Sequence, residues 1–434
     1  MGGGGPGRGR RGGGGGCPPG GGAPPAPPPP GRSRRDGGTE RRGVVRDASL
    51  SAVLAGLVAV VVSCSGPLMI VLAAADAGRL SDEQTASWVW AACIGSGVTC
   101  AALSWRTRTP VITAFSTPGA AVLVGSLGTY PYAEAIGAFL VTGLVMALVG
   151  VTGAFGWAMR RVPTGVVAGM LAGVLFSFGA GVFSALDSMP VPVIASLVTY
   201  FAVKRWSPRY AVACALFAAV LATVTGPGLH VESGDITPAV PLFTAPGFSL
   251  QAMVGIAIPL TVVTMASQNA PGLAVLTAFG YRPDDRTLIG VTGLATAALA
   301  PFGGHGINLA AITAAICTGE EAHPDPRRRY VAGVACGFFY MVTGVCGAAL
   351  VGLFTALPAD LVAVVAGVAL LGAFSTSLAQ AVADESGRDA AVVAFLTTAS
   401  GVTLGGIGSA CWGLVLGLAT HGTLTLGARV RARR

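Results

Sequence analysis

Apolar runs of about twenty residues, the length that crosses a bilayer core of roughly 30 Å, recur along this chain between short polar joints. The pattern predicts fourteen spans, near 50–75, 84–104, 110–127, 133–157, 163–185, 188–203, 208–226, 249–279, 287–300, 305–319, 330–356, 358–380, 388–406 and 409–428. The third and tenth are short and interrupted. In the third, "TRTPVITAFSTPGAAVL" (107–123), Pro110 and Pro118 each remove an N–H donor, and Pro118 disfavours helix at Thr117. Ser116 or Thr117 before Pro118 reads as an N-cap. The segment therefore predicts an extended stretch and then a half-helix from near Pro118. In the tenth, "APFGGHGINLAAITAA" (300–315), Gly303, Gly304 and Gly306 predict an unwound run with a half-helix from near Ile307.

Charge fixes the direction of the spans. With both tails in the cytoplasm, 26 of the 27 Lys and Arg fall in cytoplasmic loops or tails, and only Arg79 does not. Dropping one span would scramble this segregation. The composition agrees: 53% hydrophobic, 11% charged and a mean hydropathy of +0.70 are too apolar for a soluble globule. The net charge of +8 sits mainly in the head and the closing "ARVRARR", so it calls for no nucleic-acid partner. Residues 1–46, rich in Gly, Pro and Arg, have little to bury and are expected to be a disordered cytoplasmic tail without a signal-peptide core. Nine cysteines without a CxxC pair support neither a disulfide framework nor a metal site.

The fold expected is an all-α polytopic membrane protein with about 14 spans as a 7+7 inverted repeat, since an odd number per half inverts the second half. The halves are placed at 47–226 and 227–428, with a basic tail at 429–434. "VSCSGPLMIVLAAA" (62–75) aligns with "ASQNAPGLAVLTAF" (266–279), and the broken third span finds its counterpart in 300–315.

Backbone without partners at bilayer depth persists only where protein or a watery cavity covers it. Two half-helix N-termini aimed at one cavity would each present free N–H groups and about half a positive charge, which favours an anion. Ser63, Ser65, Gln268 and Asn269 lie mid-span, where a buried polar group needs either a ligand or a neighbouring helix. His305 is the readily titratable side chain of the broken segments; it is either a proton carrier or a neutral histidine bonded to backbone carbonyls. No carboxylate falls in the expected cavity: Glu134, Asp187 and Asp360 lie at non-cytoplasmic ends, and Asp284, Asp285, Glu320, Glu321, Asp384, Glu385 and Asp389 lie on the cytoplasmic side. No HExxH, GxSxG or GxxxxGK[ST] motif occurs, so neither an enzyme nor an ATP-driven pump is expected. No cofactor is expected either.

The stretches "TPVITAFSTPGAAVLVGSL" (109–127), "PLTVVTMASQNAPGLAVLTAFGY" (259–281), "PFGGHGINLAAITAAICTGEEAHPD" (301–325) and "RDAAVVAFLTTASGVTLGGIGSACWGL" (388–414) resemble the benzoate:proton symporter (BenE-type) family. The resemblance covers about 47–428. It implies transport of a small aromatic carboxylate with protons across a bacterial inner membrane, by a fold similar to nucleobase and sulfate permeases with core and gate domains. It also implies a site between the third and tenth spans, lined by the first and eighth. The residues are then Ser63, Ser65, Ser116, Thr117, Pro118, Gly119, Gln268, Asn269, Gly303, Gly304, Gly306 and Asn308, with Phe115 against the ring and His305 carrying the proton. Nucleobase relatives carry carboxylates on the eighth and tenth spans; amides and a histidine stand here. An anion channel, or a permease for another small organic anion or nucleobase-like substrate, is the alternative. The residues set no oligomeric state, and a homodimer stays open.

Overall fold

The computed structural model describes residues 1–3, 44–225, 238–355 and 358–432. Most of the Gly/Pro/Arg-rich head and the expected junction of the halves at 226–227 lie outside the described residues. A short helix, α1 (Val44–Asp47), begins within the stretch expected to be a tail and ends one residue past it.

The first expected span forms α2 (Leu50–Ser65) and α3 (Pro67–Ala77), interrupted at Gly66 because Pro67 brings no N–H to the helix ladder. Next comes α4 (Asp82–Thr107), started by a capping box between Ser81 and Gln84. The broken third segment is strand β1 (Thr113–Phe115) followed by α5 (Thr117–Val124). After it come α6 (Tyr132–Thr152), α7 (Phe155–Arg161), α8 (Thr164–Ser184), α9 (Pro190–Trp206) and α10 (Ala211–Val224). The fourth span was expected to run to 157, but Gly153 adopts φ 71 and ends α6, so α7 is separate.

The eighth segment is one long helical stretch: α11 (Leu250–Ala252), a π-turn at Met253–Ala257, α12 (Ile258–Thr264), a second π-turn at Met265–Asn269 and α13 (Ala270–Ala278). Each π-turn lies just before a proline, Pro259 or Pro271, whose missing N–H leaves a carbonyl to be accommodated by a wider turn. Then follow α14 (Asp285–Leu299), β2 (Ile307–Leu309), α15 (Ile312–Thr318), α16 (Tyr330–Val345), α17 (Gly347–Thr355), α18 (Ala359–Val382), α19 (Arg388–Ala399) and α20 (Ser409–Ala432). Helix α20 thus continues into the segment expected to be a basic tail. Among the described residues, six stretches are long and apolar enough to cross a membrane: Leu50–Ala77, α4, α6, α8, Leu250–Ala278 and most of α18.

The tenth segment departs from expectation in one respect. Ile307 is committed to β2, so the half-helix starts at Ile312. The cause is tertiary: β1 and β2 pair antiparallel, with Thr113, Ala114 and Phe115 opposite Leu309, Asn308 and Ile307. Each unwound run satisfies the other's backbone, which a single broken helix in lipid could not do for itself.

Helix packing repeats between the halves. Helix α4 packs on α16 as α6 packs on α14, α9 on α10 as α19 on α20, and α5 on α12 as α15 on α2. Small residues permit the closest crossings: a Cβ added at Gly143 would lie 2.4 Å from the Ala297 nitrogen of α14, and one at Gly337 would lie 2.5 Å from the Gly97 carbonyl of α4. Two groups result. One contains α2–α6, α11–α16 and the strand pair; the other contains α8–α10 and α18–α20.

Candidate functional site

The strand pair is buried, and neighbouring side chains complete its hydrogen bonding. The Ser116 N–H donates to the Gly306 carbonyl (2.8 Å) and the Ala310 N–H to the Ile112 carbonyl (2.9 Å). The Ile307 N–H donates to Thr296 Oγ1 at 2.8 Å, and the Leu309 N–H to Asn269 Oδ1 at 2.9 Å. Thr113 Oγ1 meets Thr99 Oγ1 at 2.8 Å and donates to the Ser96 carbonyl at 2.9 Å. Asn269 is therefore a scaffold residue: its amide oxygen supports β2 and its Nδ2 points to Met265 Sδ at 3.4 Å.

Helix α5 begins as its sequence predicts. Ser116 is the N-cap, its Oγ accepting from the Gly119 N–H at 3.1 Å, and Pro118 sits in the first turn. Ser116 Oγ also lies 2.8 Å from Thr264 Oγ1, which ties α5 to α12. A Cβ at Gly119 would come within 2.5 Å of Leu260 Cδ1 and 2.9 Å of Ser116 Cβ, so the same helices meet closely there.

His305 is fully buried and bonded at both ring nitrogens. Trp88 Nε1–H can only donate, and it lies 2.9 Å from His305 Nδ1, which must accept. The proton then sits on Nε2 and is donated to the Ser116 carbonyl at 2.9 Å. Trp88 and Phe139 enclose the ring at centroid distances of 5.4 and 6.2 Å. In this conformation His305 is a neutral bridge between α4 and the start of α5. It can take a proton only where Trp88 has released Nδ1, so the geometry opposes the proton-carrier role read from sequence.

Other expected site residues are also scaffold. Phe115 is 2% exposed because strand alternation turns it inward with Thr113 and leaves Ala114 on the open face; it offers a ring no contact surface. Ser65 Oγ donates to the Val62 carbonyl of its own helix at 3.1 Å, and Ser63 is buried. With its amide oriented to suit its neighbours, Asn308 accepts from the Ser116 N–H and donates to the Leu309 carbonyl, both at 3.0 Å. Gly303, Gly304 and Gly306 are buried where backbones meet; a Cβ at Gly306 would sit 3.2 Å from Ser116 Cβ.

Two polar side chains of the expected set keep partial exposure: Thr117 at the first position of α5, and Gln268 in the second π-turn. Both flank the contact that ties α5 to α12. Ser116 touches Thr264, Thr117 follows Ser116, and Gln268 lies one turn beyond Thr264. The π-turn carrying Gln268 packs on α8, as does α5, so both residues stand at the boundary of the two helix groups. Ile312, 74% exposed at the start of α15, adds an apolar surface. Trp88, Thr99, Thr264 and Thr296 escaped the sequence reading. They sit in uninterrupted apolar runs, and Trp88 and Thr264 meet partners 217 and 148 positions away, so no local signal marks them.

A cavity of about 130 Å3 opens nearby, between α5, α8, α19 and α20. None of the residues expected to bind substrate lines it.

The fold is one that solved membrane transporters share. Over 85% of the chain the structure matches the transmembrane domain of a cyanobacterium bicarbonate transporter, BicA (TM-score 0.58, 15% identity, 96% of that chain). It likewise matches SLC26A9 over 88% of the chain (TM-score 0.59, 14% identity, 66% of that chain). At such identities the likeness establishes the fold. The family described as "Benzoate membrane transport protein" matches residues 46–423, and the chain belongs to it. Among curated relatives, the benzoate membrane transport protein of Acinetobacter baylyi (strain ATCC 33305 / BD413 / ADP1) is 40% identical over 376 residues, 87% of this chain and 95% of the relative. The inner membrane protein YdcO of Escherichia coli (strain K12) is 41% identical over 374 residues, 86% of this chain and 96% of the relative.

Proposed function

We propose that this protein is a secondary active transporter that imports benzoate or a similar aromatic carboxylate together with a proton. It would sit in the bacterial inner membrane with both termini cytoplasmic and fourteen segments arranged as two inverted halves. The observation that carries this reading is the strand pair that brings α5 to the boundary between helix groups with Thr117 and Gln268 partly open. The substrate carboxylate accepts from the Gln268 amide, the Thr117 hydroxyl and the positive end of α5. The ring lies against Ala114 and Ile312. No Asp or Glu occurs in β1, α5, the Met265–Asn269 turn or β2, which suits an anion and disfavours a cation.

The names of the family and of the Acinetobacter relative support benzoate, and the arginines support the orientation, because they cluster at one set of loop ends. Proton coupling is inferred from the resemblance and from electroneutrality: one carboxylate with one proton moves no net charge. Since His305 Nδ1 is already occupied by the Trp88 N–H, the proton travels on the substrate carboxylate or enters His305 after that bond opens.

Competition tests the substrate class. Protein-dependent uptake of labelled benzoate should fall with unlabelled benzoate and substituted benzoates, and hold with uracil or sulfate. Equal competition by uracil would transfer the site to a nucleobase-like substrate.

A further inference from the structure

We propose that Tyr130 is a positioning residue of the transport cycle: its phenol latches the two helix groups together and holds one mouth of the route shut. The proposal rests on the transporter reading, and on geometry outside the substrate site.

Tyr130 follows α5 and precedes α6, so it belongs to the group carrying the strand pair. Its O–H donates to the Gly406 carbonyl at 2.6 Å. Gly406 lies in the connection between α19 and α20, in the other group, within a tight turn closed by the Leu404–Ile407 bridge. Gly405 and Gly406 have φ of 61° and 74°, the left-handed pair of a two-residue hairpin turn, which glycine adopts without a Cβ penalty. That turn presents the Gly406 carbonyl outward to the phenol.

The ring reaches it by crossing Gly255 in the first π-turn. A Cβ there would stand 2.1 Å from the phenol oxygen, so glycine leaves the passage the latch needs. Beneath the latch lies the cavity of about 130 Å3, whose lining includes Gly125, Ser126, Ser177, Gly255, Gly408 and Ser409.

Packing differs between the two ends of the route. Helices α5 and α12 rest against α8, and α12 also against α20. Helices α13 and α15 pack mainly within their own group and make at most marginal contact with α8–α10 or α18–α20. Beside α5 the two groups meet and are latched, whereas α13 and α15 keep largely to their own group. Opening the latched mouth separates Tyr130 from Gly406, so this bond biases the cycle toward the conformation described. Under the proposed orientation the latched mouth is the non-cytoplasmic one.

Ser126 reports on that mouth, being 3% exposed and on the cavity wall. The experiment uses the full chain in right-side-out vesicles without substrate. A membrane-impermeant maleimide labels Ser126→Cys, measured above the native cysteines of the same background. Tyr130→Phe should speed labelling by about three- to tenfold, the population shift expected from loss of one hydrogen bond. Gly255→Ala should also speed it with Tyr130 present and add less with Tyr130→Phe, because the phenol oxygen it strikes is gone and only the ring carbon at 3.0 Å remains. Unchanged or slower labelling in Tyr130→Phe, or an equal effect of Gly255→Ala in both backgrounds, overturns the latch. If one variant fails to reach the membrane, the other still decides by its labelling rate. Labelling needs no substrate, so absence of benzoate uptake by the parent chain would overturn the substrate reading and leave the latch result standing.

Discussion

Gln268→Ala is expected to cut protein-dependent benzoate uptake by roughly ten- to a hundredfold, the worth of one hydrogen bond to a charged group. Membrane abundance should stay within about twofold of the parent, since partly exposed polar side chains outside the hydrogen-bond network seldom carry stability. The site explains the contrast. Ser116, Asn269, Asn308 and His305 are already spent on strands, helix cap and indole. Gln268 is the partly exposed amide one turn beyond Thr264, and among the described residues no side-chain hydrogen bond of the scaffold involves it. Gln268→Asn should recover part of the rate, whereas Gln268→Glu should abolish it by placing like charge against the substrate. Asn269→Ala should behave differently: it strips the Leu309 N–H of its acceptor, so protein abundance falls together with uptake. Uptake per folded molecule separates the two neighbours, and parent-like uptake in Gln268→Ala would move the carboxylate elsewhere.

Gly303→Ala is expected to destabilise the protein by about 2–6 kcal/mol, combining backbone strain with overpacking. Gly303 has φ 97, and a Cβ there would stand 2.9 Å from Trp88 Cα and Cβ and from the Tyr132 phenol oxygen. The backbone of α4 cannot yield as a flexible side chain could. Displacing Trp88 would also disturb its bond to His305. Gly280→Ala is the matched control: its φ is 83, but nothing lies within 4 Å of the added carbon, so only strain applies. Thermal unfolding in detergent should show a much larger loss for Gly303→Ala. Equal losses would mean that the close approach to Trp88 does not matter.

Much of the fold was legible because its signals are local. Apolar run length locates nearly every helix, the Ser116–Pro118 stretch predicts the start of α5, and the glycines at 303–306 predict an unwound run. What was not legible is long-range. The sequence suggested a half-helix from Ile307, but pairing with β1 claims Ile307–Leu309 and postpones α15 to Ile312. Mid-span polarity singled out Gln268, Asn269, Ser63 and Ser65, the two amides ahead of the serines, and burial and hydrogen bonding leave Gln268 as the one with an open face. Phe115 and Ala114 are adjacent in the same short strand, and only the register with β2 decides which of them faces inward. His305 looked titratable until its indole partner, far away in sequence, was in place.

The central claim is tested most directly by benzoate flux into proteoliposomes, acid outside and neutral within, read as initial rate above protein-free liposomes. That subtraction is essential, because benzoic acid itself crosses lipid and would follow a pH gradient without any protein. The account predicts a saturable, protein-dependent rate that rises with the proton gradient, vanishes with a protonophore and is unchanged by an imposed electrical potential. A rate equal to that of protein-free liposomes, or a protein-dependent rate indifferent to the proton gradient, would contradict it.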